Sequence, residues 1–315
     1  MKFSFILPAY KAKFLKQAIN SILLQTYEDF ELIIVNDASP DDIDSIISDY
    51  KDCRIRYYKN QVNIGRENLV AHWNKCLTYS MGEYIILASD DDFYSPSYLY
   101  QMSQLVLKYP NNNVFRPRIQ IVDQNDNILH VEGYTVEHTS VLEFMYLLNK
   151  RYICGGIPFY LFKKEALLQN GGFVNYPMAW RSDDATVLLL SREHGLVTTN
   201  EILFSFRMSG ENITSKRNNH LALKQKLTAV DMFYKFQSRF LEDIKPKTTL
   251  EQIYADYLNR HLKSSVIKNI YELICDSTLS AGMCCFSFVR SFSYISVRGL
   301  LINYMKRIVQ ELLHN

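Results

Sequence analysis

The stretch "GEYIILASDDDFYSP", residues 82–96, decides the fold. A short apolar run, Tyr84 to Ala88, has the length and composition of a buried strand and runs directly into three consecutive aspartates. Adjacent carboxylates repel, and one of them would suffice to cap a helix. Three ask for a cation, a proton or an electropositive partner, or else form a solvated acidic loop ahead of a helix that starts near Pro96.

Working back from this run, the same unit recurs. Phe3 to Leu7 is a mostly apolar strand ended by Pro8, and "FLKQAINSILLQ" places Phe14, Leu15, Ala18, Ile19, Ile22 and Leu23 at helical spacing. A second strand, Glu31 to Val35, enters the polar turn "NDASPDD", after which Ile43, Ile46, Ile47 and Tyr50 share one helical face. A strand at Arg54 to Tyr58, the turn "NIG" and a helix over Glu67 to Tyr79 complete the series. Alternating strands and helices imply a Rossmann-like, doubly wound, mostly parallel sheet covered on both faces. Ligands of such sheets bind beyond the carboxyl ends of the strands, where this chain carries "PAY", "NDASPDD" and "SDDD".

Beyond Val114 the pattern shifts. "VFRPRIQIV" and "ILHVEGYTV" predict a β-hairpin around "DQNDN", followed by a helix over Ser140 to Asn149 and a strand within the glycine-punctuated segment that ends in "GGF". "RSDDATVLLLSREHG" reads as a helix opened by aspartates, with its body over Ala185 to His194, and "LVTTNEILFSFRMSGENITS" supplies a closing strand or two. After about Lys216 the chain reads as a helical appendage without glycine until Gly282.

Bulk properties narrow the function classes. With 315 residues, the chain has room for a catalytic domain plus an appendage of roughly 100 residues. Lys and Arg number 35 against 33 Asp and Glu, a formal charge of +2 that offers no field for nucleic acid. The six cysteines lack CxxC or zinc spacing and read as reduced thiols, which favours a cytoplasmic protein. The apolar run before Pro8 is too short for a signal peptide, and no stretch approaches the roughly eighteen apolar residues of a bilayer span.

Taken together, "FSFILPAY", "SILLQTYEDFELIIVNDAS", the Asn-x-Gly turn, "GEYIILASDDDFYSP", "NGGF", the acidic pair Asp183 and Asp184, and "FRMSGENITS" resemble the glycosyltransferase family 2 enzymes. That family has the GT-A fold and acts with inversion, and the resemblance covers about residues 1 to 216. It implies a nucleotide-sugar-binding half over 1–110, an acceptor half over 111–216, and leaves 217–315 outside. Residue by residue, it implies that Pro8, Ala9, Tyr10 and Asp37, with Gly65 and Arg66 of the following turn, hold the nucleoside. Asp90, Asp91 and Asp92 would serve the ribose and the diphosphate, with Asp92 and Asp90 on a Mn²⁺ or Mg²⁺ ion and the register open by one residue. The catalytic base falls on Asp184 or Asp183, with Asp184 preferred and Asp183 available to cap the helix. Arg207 matches a late arginine near the active-site mouth; a surface salt bridge is the other reading.

The expected reaction is transfer of a single sugar from a nucleotide diphosphate sugar to a hydroxyl of a saccharide or lipid-linked saccharide, in bacterial capsule, O-antigen or exopolysaccharide assembly. The longer "NIGRENLVAHWNKCL" departs from the family's usual Ala-Arg-Asn and leaves Arg66, His72 and Asn74 open as nucleotide contacts. A non-catalytic nucleotide-sugar binder and a phosphotransfer receiver or phosphatase are the rival classes. Cations and aromatics interleaved over Ala281 to Asn315 suit either peripheral contact with the inner face of the plasma membrane or a helix pair packed within the protein or in a homo-oligomer.

Overall fold

A computed structural model describes residues 2–210 and 218–295, with 299, 301, 302, 304 and 305. The chain divides into two compact units, one of Met1–Asn175 with Ser182–Asn212, the other of Tyr176–Arg181 with Ile213–Asn315.

The first unit begins with β1 (Phe3–Ala9), α1 (Leu15–Leu23), β2 (Phe30–Asn36), α2 (Ile43–Ser48), β3 (Ile55–Lys59), α3 (Leu69–Leu77) and β4 (Tyr84–Leu87). All seven residues of β2 and all four of β4 are buried, as strands covered on both faces must be. Strands β3, β2, β1 and β4 lie side by side and parallel. The chain leaves β1 toward β2 on one side and later returns to place β4 on the other. That reversal is the point where open α/β sheets leave a crevice at the strand ends.

The rest of this unit comprises β5 (Phe93–Tyr94), α4 (Tyr98–Lys108), β6 (Val114–Val122), β7 (Ile128–Val131), β8 (His138–Thr139), α5 (Val141–Lys150), β9 (Leu161–Lys163), α6 (Lys164–Gln169), α7 (Ser182–Leu190) and β10 (Leu196–Arg207). Here the sheet turns mixed. Strand β9 runs antiparallel between β4 and β6, and β10 lies parallel to β6. The expected hairpin is the antiparallel β6–β7 pair, and the closing element is one strand whose register on β6 slips between Thr199 and Phe204. Helix α7 starts three residues before the expected body, so Asp183 and Asp184 sit in its first turn, where acids favour the positive end of the helix dipole.

At the starting ends of the strands, a buried polar knot sets the register. Glu31 on β2 accepts from Ser4 Oγ (2.7 Å) on β1, Arg56 Nη1 (2.7 Å) on β3 and the Met81 N–H (2.6 Å) ahead of β4. The Gly82 N–H closes the knot on Ser4 Oγ at 2.8 Å, and a Cβ at Gly82 would stand 2.6 Å from that same oxygen. One carboxylate thereby ties four strands.

The second unit holds α8 (His220–Asp243), α9 (Thr249–Cys275) and α10 (Leu279–Val289). Asn219, Thr248 and Thr278 cap them by accepting from the N–H three residues on. Leu223, Leu227, Phe240, Leu258, Leu262 and Ile270 are among its buried side chains. The segment Tyr176–Arg181 belongs to this unit: Lys226 Nζ sits 4.2 Å over the Trp180 ring, and Arg181 donates to Asn269 Oδ1 at 2.7 Å. Met178, Ala179 and Arg181 in this segment adopt φ of 57°, 55° and 66°. Among the described residues no helix is long and apolar enough to cross a membrane. Of the stretch 281–315, read as a surface helix or a packed helix pair, α10 covers the start, and residues 296–298, 300, 303 and 306–315 lie outside the described residues, among them Arg298, Lys306 and Arg307, as does the end of "FRMSGENITS".

Burial alone would push the Glu31 carboxyl up, but the hydrogen bonds from Ser4, Arg56 and Met81 outweigh it and hold the group below its ordinary 4.5. A depressed carboxyl stabilises the fold above its unfolded value, and that stabilisation is lost as pH falls through the folded one. Glu31→Gln is therefore expected to cost about 2 kcal/mol at pH 7 in urea denaturation, a figure kept low because Arg56 is partly exposed. The difference from the parent should shrink as the pH drops below 4.5.

Candidate active site

The three polar loops at the carboxyl ends of β1, β2 and β4 are tied into one assembly. Asp90 Oδ2 accepts from two successive backbone N–H groups, those of Tyr10 (2.9 Å) and Lys11 (2.7 Å). This fixes the loop after β4 to the loop after β1. The loop after β2 joins through the Asp37 N–H on the Ala9 carbonyl at 3.1 Å, the Ala12 N–H on Asp41 Oδ2 at 2.8 Å, and Ser39 Oγ on the Tyr10 carbonyl. Pro8 and Ala9 form the inner part of this rim, while the Tyr10 side chain is 42% exposed above it.

Asp37 is buried and thoroughly engaged. Its Oδ1 accepts from Asn60 Nδ2 (2.7 Å) and the Ile64 N–H (3.0 Å), and its Oδ2 from the Gly65 N–H (2.7 Å). A Cβ at Gly65 would stand 2.9 Å from that oxygen, so the glycine is what lets the Asn-x-Gly turn close on the carboxylate. Of the open contacts in the following helix, His72 is buried with Nδ1 3.4 Å from Asp37 Oδ2, and burial lowers its pKa. Asn74 instead holds the "NGGF" turn, accepting from the Phe173 N–H and donating to its carbonyl. Gly172, at φ +90°, gives Asn74 its room. Arg66 is exposed.

Asp90, Asp91 and Asp92 are all at most 5% exposed, yet their oxygens do different work. Asp92 faces inward: Oδ1 accepts from the Arg207 N–H at 2.8 Å and Oδ2 from Ser89 Oγ. Burial, with Asp91 alongside, pushes its carboxyl up to about 8. Asp91 Oδ1 is 3.2 Å from Ser89 Oγ, and its Oδ2 accepts from Ser209 Oγ at 3.1 Å. Lys11 Nζ lies 2.9 Å from Asp91 Oδ2 and 3.6 Å from Asp90 Oδ1. Burial alone would lower the Lys11 pKa, but Asp90 and Asp91 raise it above its usual value.

This arrangement tests where a divalent ion fits. Hard cations such as Mg²⁺ and Mn²⁺ take oxygen ligands and need only one or two protein carboxylates when phosphates and water fill the remaining positions. Among the described residues no cluster of three or more His, Cys, Asp or Glu forms a self-sufficient metal cage. The spot bounded by Asp90 Oδ1 and Asp91 Oδ2 already attracts a cation, the Lys11 ammonium, so its donor chemistry fits. Asp92, expected on the metal, has both oxygens engaged with the protein.

Arg207 is buried rather than at a mouth or on the surface. Its guanidinium donates from Nε to the Asp91 carbonyl (2.9 Å) and from Nη2 to Gln17 Oε1 (2.8 Å), and pairs through Nη1 with Asp126 (2.6 Å). The charge lies 4.2 Å from the Phe14 ring centroid and 5.4 Å from that of Phe93. It braces the aspartate loop from behind.

Asp184 is buried in the first turn of α7, where Asp183 Oδ1 accepts from its N–H at 2.9 Å. The loop after α5 passes so close that a Cβ at Gly155 would stand 2.5 Å from Asp184 Oδ1. That loop is anchored by Glu132, which accepts from the Cys154 N–H (2.7 Å) while paired with the fully buried Arg116 through both oxygens. Neither the anchor nor Lys11, Ser89 and Ser209 carries a sequence signal of its own. Lys11 could have been suspected only as the cation next to "PAY".

An α/β sheet whose nucleotide-type crevice is lined by strand-end carboxylates defines the class. The sequence profile of Glycosyl transferase family 2 matches residues 4–169, and the chain belongs to that family. An uncharacterised glycosyltransferase of Rickettsia typhi is 29% identical over 216 residues, covering 64% of this chain and 66% of the relative's own length. One from Methanocaldococcus jannaschii is 37% identical over 125 residues, 37% of this chain and 40% of its own. Among solved structures, residues 1–349 of S. aureus TarS in complex with UDP-GlcNAc superpose with a TM-score of 0.63 at 16% identity, over 96% of this chain and 89% of that one. The mannosyltransferase PcManGT of Pyrobaculum calidifontis, in complex with GDP-Man and Mn²⁺, gives 0.54 at 14% identity, over 98% and 80%. At such identities these structures establish the GT-A fold.

Because Arg207 joins β10, α1, the aspartate loop and the β6–β7 turn, Arg207→Gln is expected to destabilise the protein by about 3 kcal/mol. Urea denaturation followed by circular dichroism measures it; a loss under about 0.5 kcal/mol would mark the arginine as peripheral.

Proposed function

We propose that the chain is an inverting, metal-dependent glycosyltransferase that moves one sugar from a nucleoside diphosphate sugar to a hydroxyl of a saccharide or lipid-linked saccharide. The observation that carries this is the joining of the β1 and β4 loops by Asp90 beside a cation spot on Asp91, at the crevice of a family 2 sheet. In this reading residues 1–110 hold the donor, 111–216 the acceptor, and 217–315 are an appendage. The setting we infer is bacterial capsule, O-antigen or exopolysaccharide assembly, in the cytoplasm at the inner face of the plasma membrane.

The rim of Pro8, Ala9 and Tyr10 and the turn held by Asp37 frame the nucleoside, with Gly65 and Arg66 at its edge. Asp37 acts by shaping that turn, since its oxygens are engaged by Asn60, Ile64 and Gly65. Asp90 Oδ1 and Asp91 Oδ2 would hold a Mn²⁺ or Mg²⁺ ion, whose contribution when bound is Lewis-acid stabilisation of the departing diphosphate. Asp92 and Arg207 keep those two carboxylates in place.

An acceptor hydroxyl is too weak an acid to attack unaided, so a carboxylate within hydrogen-bond reach must take its proton as the new bond forms. Asp184 is assigned this role and Asp183 that of capping the helix. Gly155 leaves Asp184 Oδ1 its space. A base on one face of the sugar and the diphosphate on the other give a single displacement and hence inversion.

Release of nucleoside diphosphate from a panel of nucleotide sugars, with Mn²⁺ and saccharide acceptors, tests the reading directly. Asp184→Asn should lower transfer by about 10²- to 10⁴-fold while leaving nucleotide affinity intact. Nucleotide binding without transfer from any donor would instead make the protein a sugar-nucleotide binder. Gly155→Ala is expected to lower kcat with little change in the donor KM, because the added methyl crowds Asp184 alone; an unchanged kcat would count against Asp184 as the base.

A further inference from the structure

Of the six carboxylate oxygens in the aspartate triplet, four meet partners other than the Lys11 ammonium. Asp90 Oδ2 has two backbone N–H groups, Asp92 Oδ1 one, and Asp91 Oδ1 and Asp92 Oδ2 share the Ser89 hydroxyl. The other two, Asp90 Oδ1 and Asp91 Oδ2, are the ones that meet the Lys11 ammonium, and Asp91 Oδ2 also accepts from Ser209 Oγ at 3.1 Å. Lys11 reaches them with a flexible stem whose side chain is 29% exposed, against 7% and 6% for the two aspartates. Its own backbone N–H is pinned to Asp90 Oδ2, so the root of the side chain is fixed while the ammonium is tethered to it only through the four-carbon stem.

We propose that Lys11 is a built-in counter-cation that competes with the divalent ion for Asp90 and Asp91, so that metal loading proceeds by displacement of its ammonium. This rests on the metal-dependent reading above and deepens it. Two buried adjacent carboxylates repel each other and are costly to leave uncompensated, which the ammonium remedies in the absence of metal. A divalent ion and an ammonium repel when they share two oxygens, so one must go. Lysine suits the part, being a compact, strongly hydrated point charge on a four-carbon stem rather than a fork locked bidentately to carboxylate. The displaced ammonium is then available to an anion, and the donor brings one in its diphosphate. Metal and nucleoside diphosphate should accordingly favour each other's binding, in part through Lys11, and by linkage the effect is reciprocal.

The test is Mn²⁺ binding to the full chain, followed by the electron paramagnetic resonance of free Mn²⁺, with and without uridine diphosphate or guanosine diphosphate. Without nucleotide, Lys11→Met should bind Mn²⁺ about tenfold more tightly than the parent, since its competitor is gone. Addition of the diphosphate should tighten Mn²⁺ binding less in the variant than in the parent. Lys11→Arg, which keeps the charge and grips carboxylate more firmly, should bind Mn²⁺ more weakly than the parent. That variant also covers the case in which Lys11→Met fails to fold without metal. Equal Mn²⁺ affinity in parent and variants overturns the displacement role while leaving the metal-dependent reading intact. No Mn²⁺ binding by any of the proteins, even with nucleoside diphosphate, overturns both.

Discussion

The site depends on how three adjacent buried carboxylates are kept in one place. Asp90 is the pivot: by accepting from the Tyr10 and Lys11 N–H groups it uses backbone donors at the end of β1 to hold a charge at the end of β4. Such charge-assisted bonds are short and strong, and their donors follow directly on an ordered strand that ends at Ala9. Two loops that leave neighbouring strands thereby become one wall of the crevice.

The other two aspartates are supported from opposite directions. Asp92 is bound inward by Ser89 and the Arg207 backbone, and the Arg207 guanidinium reaches on to the Asp91 carbonyl, Gln17 and Asp126. Asp91 is left to present an oxygen outward, where Lys11 meets it. The burial that raises Asp92 to about 8 is the cost of this scaffolding, because a charged group deep in the protein is poorly solvated. The knot around Glu31 at the other end of the sheet shows the balance reversed: enough donors reach that carboxylate to keep it charged.

Much of the fold was legible because β2 and β4 are unbroken apolar runs and because helical spacing is plain in α1 and α3. The hard parts were the elements whose partners lie far off in sequence. The antiparallel insertion of β9 between β4 and β6 and the parallel pairing of β10 on β6 are set by sheet packing, and a three-residue strand such as Leu161–Lys163 has no periodicity to read. The wall around Asp184 was similarly hidden, since nothing in "YICGGIP" announces that Gly155 faces Asp184 or that Glu132 anchors Cys154.

The sequence alone determined the α/β class, the strand-end position of the three acidic loops and the membership of an ordered motif set, because these follow from local periodicity and chain order. Tertiary structure decided which oxygen does what: Asp92 to the interior, Asp90 to the β1 loop, Asp91 to a lysine 80 residues away in the chain. The physical reason is that three neighbouring aspartates are chemically identical until the fold supplies each with different donors.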